Sequence, residues 1–259
     1  RQMCIRDRIK VITIFEIKNI IDIMETEVIN HRATLFVSTP INIDEHTLPK
    51  FVEAFNGLGL LPSVNKGLGL KFTPQGVVQE NVISLDMKYL DDTLKVSIGS
   101  NRFDIVCTNK AETIDTFLEK VKSIIIAISK AYLDPFTRLA LCSTIFFNID
   151  VSLLDKVYGK VVNIQDEFPV EWQIRKVLRS KVEDKNKTLT INNVYTLSRN
   201  IMQIGTEVPI DRILLDMDIN TIIGTPPDAL EQLQTKFWNE ASTTIENTVQ
   251  NYKKLILHE

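Results

Sequence analysis

"ISLDMKYLDDTLKVSIGSNRFDIVC" (residues 83–107) decides the fold. In its first third Ile83, Leu85, Met87 and Tyr89 share one side, and Ser84, Asp86 and Lys88 take the other. "LDD" turns the chain. Leu94, Val96 and Ile98 then point one way, "GSN" turns the chain again, and Phe103, Ile105 and Cys107 point inward. Apolar residues at every second position, with short polar turns between the runs, predict antiparallel strands with one buried face. Such a sheet needs a second layer to cover that face.

The flanks supply that layer. Downstream, Ile114, Phe117, Leu118, Val121, Ile124, Ile125 and Ile128 recur at helical spacing, with Asn109 and Glu112 in the positions of a capping box and Pro135 as the stop. Upstream, "RATLFVSTP" (32–40) reads as a strand closed by Pro40. Leu48, Phe51, Val52 and Phe55 then form a helical stripe that Gly57 can end. "GLGLLPSVNKGLGLKFTP" reads as a loop leading into a short strand.

The same order recurs further on. "RLALCSTIFFNI" is a strand, and "VSLLDKVYGKVV" is a helix with Leu153, Leu154, Val157, Tyr158 and Val161 on one face. "VEWQIRKVLRSKV" is a long strand with Val170, Trp172 and Ile174 inward, and "TLTINNVYTLSR" and "RILLDMDINTI" are two more. From Thr225 as cap and Pro226 at the first helical position, one long helix buries Leu230, Leu233, Phe237, Trp238, Ala241, Ile245, Val249, Tyr252 and Ile256. The expectation is an α+β protein of two similar β-α-βββ-α modules, 24–134 and 135–259. Each would be an antiparallel sheet covered on one face by long helices, and the sheets could join edge to edge.

The N-terminus reads differently. Arg1–Arg8, "RQMCIRDR", back-translates to a string that resembles a sequencing-library adapter, so residues 1–8 are expected to be a scar outside the fold. Residues 9–23 fit an AT-rich upstream read-through, which makes Met24 a candidate start, and equally fit an N-terminal amphipathic helix. Across the 259 residues, 30 basic side chains face 33 acidic ones; from Met24 onward the balance is 25 to 30. An acidic chain lacks a global attraction to phosphate backbones. With 44% apolar and 24% charged residues the composition is that of a globular protein. There is no run of 18 apolar residues to suggest a membrane span, and Cys107 and Cys142 read as buried free thiols in a reducing, cytoplasmic compartment.

At "DPFTRLALCSTIFFN" and "RILLDMDIN", followed by the long C-terminal helix, the chain resembles a sporadically distributed bacterial family of similar length with no assigned biochemical function. That family shows an Arg-led apolar strand with a second Arg four residues on and a following Asn, then a Leu-Asp-x-Asp strand. Arg138 and Asn148 answer the first pattern, and Leu215, Asp216 and Asp218 the second. Cys142 stands where the second Arg would be. The resemblance covers mainly residues 130–257 and implies no activity.

Candidate chemistry is sparse. Asp216 and Asp218, two apart on a strand, project from one face beside Asn220. Such oxygen ligands suit a divalent metal, with Asp86 a further candidate carboxylate, and a solvated sheet face gives the same alternation. Arg175, Lys176, Arg179, Lys181, Lys185 and Lys187 form a basic cluster, interrupted by Glu183 and Asp184, that could follow a single-stranded nucleic acid with Trp172 stacking on a base. A solvated hairpin is the commoner meaning of such a cluster in an acidic chain. The glycines around Lys66 lack the strand-to-helix context of a phosphate loop. His31, His46 and His258 show no metal-ligand spacing. Three readings follow: a binding protein that takes a protein partner on its helix-free face or in the groove between modules, without an evident cofactor; a metal-dependent hydrolase or nuclease; and a single-stranded nucleic-acid binder.

Overall fold

The computed structural model describes residues 26–74, 76–162, 169–184, 186–203 and 208–257. The readings of residues 1–8, of 9–23 and of Met24 lie outside the described residues, as do Lys185 and His258. In chain order the elements are β1 (Thr26–Val37), α1 (Thr47–Ala54), β2 (Leu61–Thr73), β3 (Gly76–Lys88), β4 (Leu94–Ile98), β5 (Arg102–Cys107), α2 (Ile114–Ala131), β6 (Phe136–Phe147), α3 (Val151–Val162), β7 (Trp172–Asp184), β8 (Lys187–Met202), β9 (Ile210–Thr221) and α4 (Pro227–Leu257).

All nine strands join one antiparallel sheet in the order β2-β3-β4-β5-β1-β6-β9-β8-β7. In each half the first strand stands at the centre, the chain crosses to an outer edge, and a meander returns to pair with that first strand. Half-sheets meet through β1 and β6, which pair from Thr26↔Phe147 to Val37↔Phe136 with bulges after Val28 and Phe36. The expected edge-to-edge union is thus one continuous sheet. The first meander has four strands rather than three, because the glycine-rich segment read as a loop is the 13-residue β2, paired along its whole length to β3. An edge strand tolerates Pro62, Gly67 and Gly69, since only one of its sides must supply ladder hydrogen bonds. β3 pairs with β4 only over Leu85–Lys88, so residues 65–73 and 76–84 extend as a two-stranded ribbon past the sheet.

One face of the sheet carries all four helices of the described residues. Leu35, Leu85, Val96, Ile105, Leu141, Leu197 and Leu215 share a single core with Phe51 of α1, Phe117 and Val121 of α2, Leu154 of α3, and Phe237 and Trp238 of α4. The long helix is unbroken for 31 residues, roughly 46 Å at 1.5 Å per residue, and lies across β6, β8 and β7.

Several local expectations shift. Helix α2 begins four residues later than the Asn109 cap implies. Thr113 accepts from the Thr116 amide, and the Thr116 hydroxyl answers the Thr113 amide, which completes a capping box. Asn109 instead closes a turn by accepting from the Ala111 amide. Both residue types favour caps, and only the later one sits where the apolar stripe starts. Thr225 does not cap α4: its hydroxyl donates to the Ile222 carbonyl, and the helix starts at Pro227. Val170 is exposed ahead of β7 rather than inward. Gly57 does take a left-handed backbone (φ +88°) just past α1.

Buried polar groups fasten the layers. Arg199, on the core side of β8, forks onto Asp211 of β9 (Nε–Oδ1 3.2 Å, Nη2–Oδ2 2.8 Å) and reaches Asp155 of α3 at 2.7 Å. The Asp211 bond, with that to Asp155, holds the guanidinium firmly charged despite burial. His31 is buried beneath α2, stacked on Phe117 with 5.7 Å between ring centroids, with Nε2 3.2 Å from the Glu112 carbonyl. Burial pushes its pKa down against the opposing pull of Glu112. Burial likewise works to raise the Glu112 carboxyl, but bonds from Lys120 and Thr116 outweigh it and hold the group below its usual value.

Candidate functional site

The face of the sheet away from the helices is a surface of polar and charged side chains. Strand alternation dictates who stands there: where Leu35, Leu141 and Leu215 point into the core, Thr34, Cys142 and Asp216 point out of the other side. Ala140, Cys142, Phe146 and Leu214 are buried on this side and take no part in the helix-covered core. With nine strands about 4.8 Å apart the face is roughly 38 Å wide.

The polar groups here are held by one another. The Arg32 guanidinium lies 3.5 Å from the Cys142 sulfur, which in turn lies 3.6 Å from Asp218 Oδ1. Asn220 Nδ2 donates to the same carboxylate oxygen at 3.0 Å, and Thr144 donates to Asp216 at 2.6 Å. Arg138 donates to Asn220 Oδ1 at 2.8 Å and to the Thr221 carbonyl, Asn192 reaches the same Oδ1 at 3.4 Å, and Arg179 donates to Asn192. Two aromatic rings are roofed by cations: Arg138 lies 5.1 Å over Phe36 and Arg212 lies 4.9 Å over Phe146. A shallow depression of about 330 Å³ opens among Asn30, Arg32, Cys142, Thr196, Asp216 and Asp218.

This placement sorts the sequence candidates. Asp216 and Asp218 do share a face, beside Asn220 as expected. Asp86 does not join them. It is on the same face but five strands away, roughly 24 Å, and accepts from Asn65 at 2.9 Å. Among the described residues no group of three His, Cys, Asp or Glu side chains is arranged to hold a metal ion. Arg175, Arg179 and Lys181 are exposed on the helix-free face of β7. Trp172, expected to stack beside them, is on the opposite face, 9% exposed and packed against Tyr158 of α3 at 5.7 Å. Residues 172 and 175 are an odd number apart on a strand, so the pleat separates them. The basic cluster also guards an outer strand, where charge hinders pairing with other chains.

Cys142 has a second role beyond a buried thiol: it bridges Arg32 and Asp218 across three strands. Burial, reinforced by the Asp218 charge, pushes this thiol up to about 11, against the pull of Arg32. Arg32 and Asn192 gave no sequence signal of their own, because their meeting with Cys142 and Asn220 depends on strand order. Of the residues quoted for the resemblance, Arg138, Asp216 and Asp218 lie on this face, Leu215 points into the core and Asn148 is exposed just past β6; Cys142, which departs from that pattern, shares the face. No helix of the described residues is long and apolar enough to cross a membrane. No protein-family model matches the chain, and no curated protein is similar to it.

Proposed function

We propose that this chain is a non-enzymatic binding protein that takes a protein partner on the helix-free face of its sheet. One observation carries the reading: the described helices all cover one side, and the other presents a wide surface whose polar groups are fixed by mutual hydrogen bonds. A preorganised surface of this kind loses little side-chain entropy on docking. The carboxylates there accept from Thr144, Asn220 and Cys142 rather than flanking an activated nucleophile. The shared plan of the two halves supports an internal duplication as its origin, and the free Cys107 and Cys142 fit a reducing, cytoplasmic setting.

The test compares partner capture by the parent with that by Val177→Glu and Thr196→Arg, which alter the helix-free face, and Thr243→Arg, on the exposed side of α4. Loss in the first two with retention in the third supports the proposal. Equal capture by all three, or a detected turnover, overturns it. A second reading has one observation in its favour: Arg175, Arg179 and Lys181 share this face. It would show as retention of single-stranded DNA that weakens steeply with salt. A metal-dependent hydrolase would show as a Mg²⁺-dependent rise in Tm lost in Asp216→Asn with Asp218→Asn.

A further inference from the structure

On the helix-bearing side, a cavity of about 560 Å³ opens where the two halves meet. The end of α2 and the segment after it, Ser129–Phe136, form one wall; the first turns of α4, Pro227–Gln234, form the other. Leu139 of β6 and Leu230 of α4, both buried, form the apolar floor with Phe136. The volume is in the range of small-molecule sites, which pair an apolar body with a few fixed polar groups.

The polar groups have one sign. Asp134 and Glu231 line the cavity, and among the described residues no lysine, arginine or histidine does. Neither carboxylate belongs to an ion pair among the described residues. The Asp134 charge is near enough to Tyr132 to help burial raise that phenol's pKa. The wall supplied by α4 adds a donor: Gln234 Nε2 is shut off from solvent and has no hydrogen-bond partner. An unmet buried donor is costly unless something accepts from it.

We propose that this seam cavity is a binding site for a small organic cation with an apolar body and a hydrogen-bond acceptor beside its ammonium. The ammonium sits between Asp134 and Glu231, the Gln234 side chain, only partly buried as a whole, turns so that Nε2 donates to the acceptor, and the apolar body lies on Leu139, Leu230 and Phe136. Charge selects the ligand class, because an anion would meet two carboxylates and no cation.

L-Phenylalaninamide is the probe, since it carries an ammonium, a carbonyl and an apolar ring. It is titrated into the full chain by ¹H–¹⁵N NMR, alongside 3-phenylpropanamide, which lacks the charge, and N-acetylphenylalanine, an anion. The expected result is saturable shifts confined to residues 129–136 and 227–234. Binding should be about fivefold weaker for the neutral amide, and about fivefold weaker in each of Glu231→Gln and Asp134→Asn, the scale of one partly exposed ion pair. Both carboxylates are exposed, so these variants should keep the parent Tm. Equal affinity for all three probes, shifts centred elsewhere, or no saturable shift would overturn the proposal.

Discussion

Replacing Arg199 with leucine removes a buried cation that ties β8, β9 and α3 together on the core side. The Arg199 side chain is 6% exposed, whereas Asp211 is 29% and Asp155 54% exposed. The fork onto Asp211 contributes most, because charge-assisted bonds in a mostly buried setting are worth about 1.5–3 kcal/mol. The Asp155 bond contributes up to about 1 kcal/mol, since that carboxylate rehydrates once the arginine is gone. The Pro169 carbonyl, 3.2 Å from Nη1, also loses a donor. Leucine fills part of the space and recovers some apolar burial, so the net loss should be about 3 kcal/mol. In a chain of this size that lowers Tm by roughly 6–12 °C. Urea unfolding followed by tryptophan fluorescence measures it, with an unchanged m-value as the sign that the unfolding reaction is the same. Asp155→Asn should cost under about 1 kcal/mol and Asp211→Asn about 2. If Arg199→Leu unfolds within about 0.5 kcal/mol of the parent, the assignment of this cluster as a fastening is wrong.

Acid should loosen the α2 layer. His31 is neutral when buried and its pKa lies below the usual 6.5. The unfolded chain therefore binds the extra proton first as pH falls, and stability declines from about pH 6.5 downward by up to ~1.4 kcal/mol per pH unit. Urea midpoints at pH 7.5 and 5.5 should differ in the parent, and the part of that difference due to His31 should vanish in His31→Phe. A larger slope in the variant would contradict this. Cys142, with its thiol at about 11, should resist iodoacetamide at pH 8 by roughly two orders of magnitude relative to the urea-unfolded chain; rapid native alkylation would show that the sulfur is not buried. Thr113→Ala should destabilise by about 1 kcal/mol through loss of the α2 cap, while Asn109→Ala should cost less. The reverse ranking would restore the earlier start of the helix.

Alternation and helical spacing made the layers legible. Leu94, Val96 and Ile98, and the stripe from Leu230 to Ile245, are buried as their periods require. What spacing could not convey is partner choice among strands. That the chain crosses from β1 to the far edge before returning fixes Asp86 five strands from Asp218, yet leaves no local trace in either segment. For the same reason Arg32, Cys142 and Asp218 could not be grouped from their own neighbours. The glycine-rich segment is strand over 13 residues rather than a loop leading into a short strand: Gly67 and Gly69 disfavour a strand interior, but a long partner strand at the sheet edge overrides that preference. Trp172 lies three residues before Arg175 on one strand, and that odd separation puts the two on opposite faces, so the ring does not join the basic cluster.

The central claim is that partners dock on the side of the sheet that the described helices leave bare. A photo-reactive residue at position 177 or 196, on that side, should crosslink the captured partner, whereas one at position 243, on the outer surface of α4, should not. Crosslinks formed only from position 243 would contradict the account.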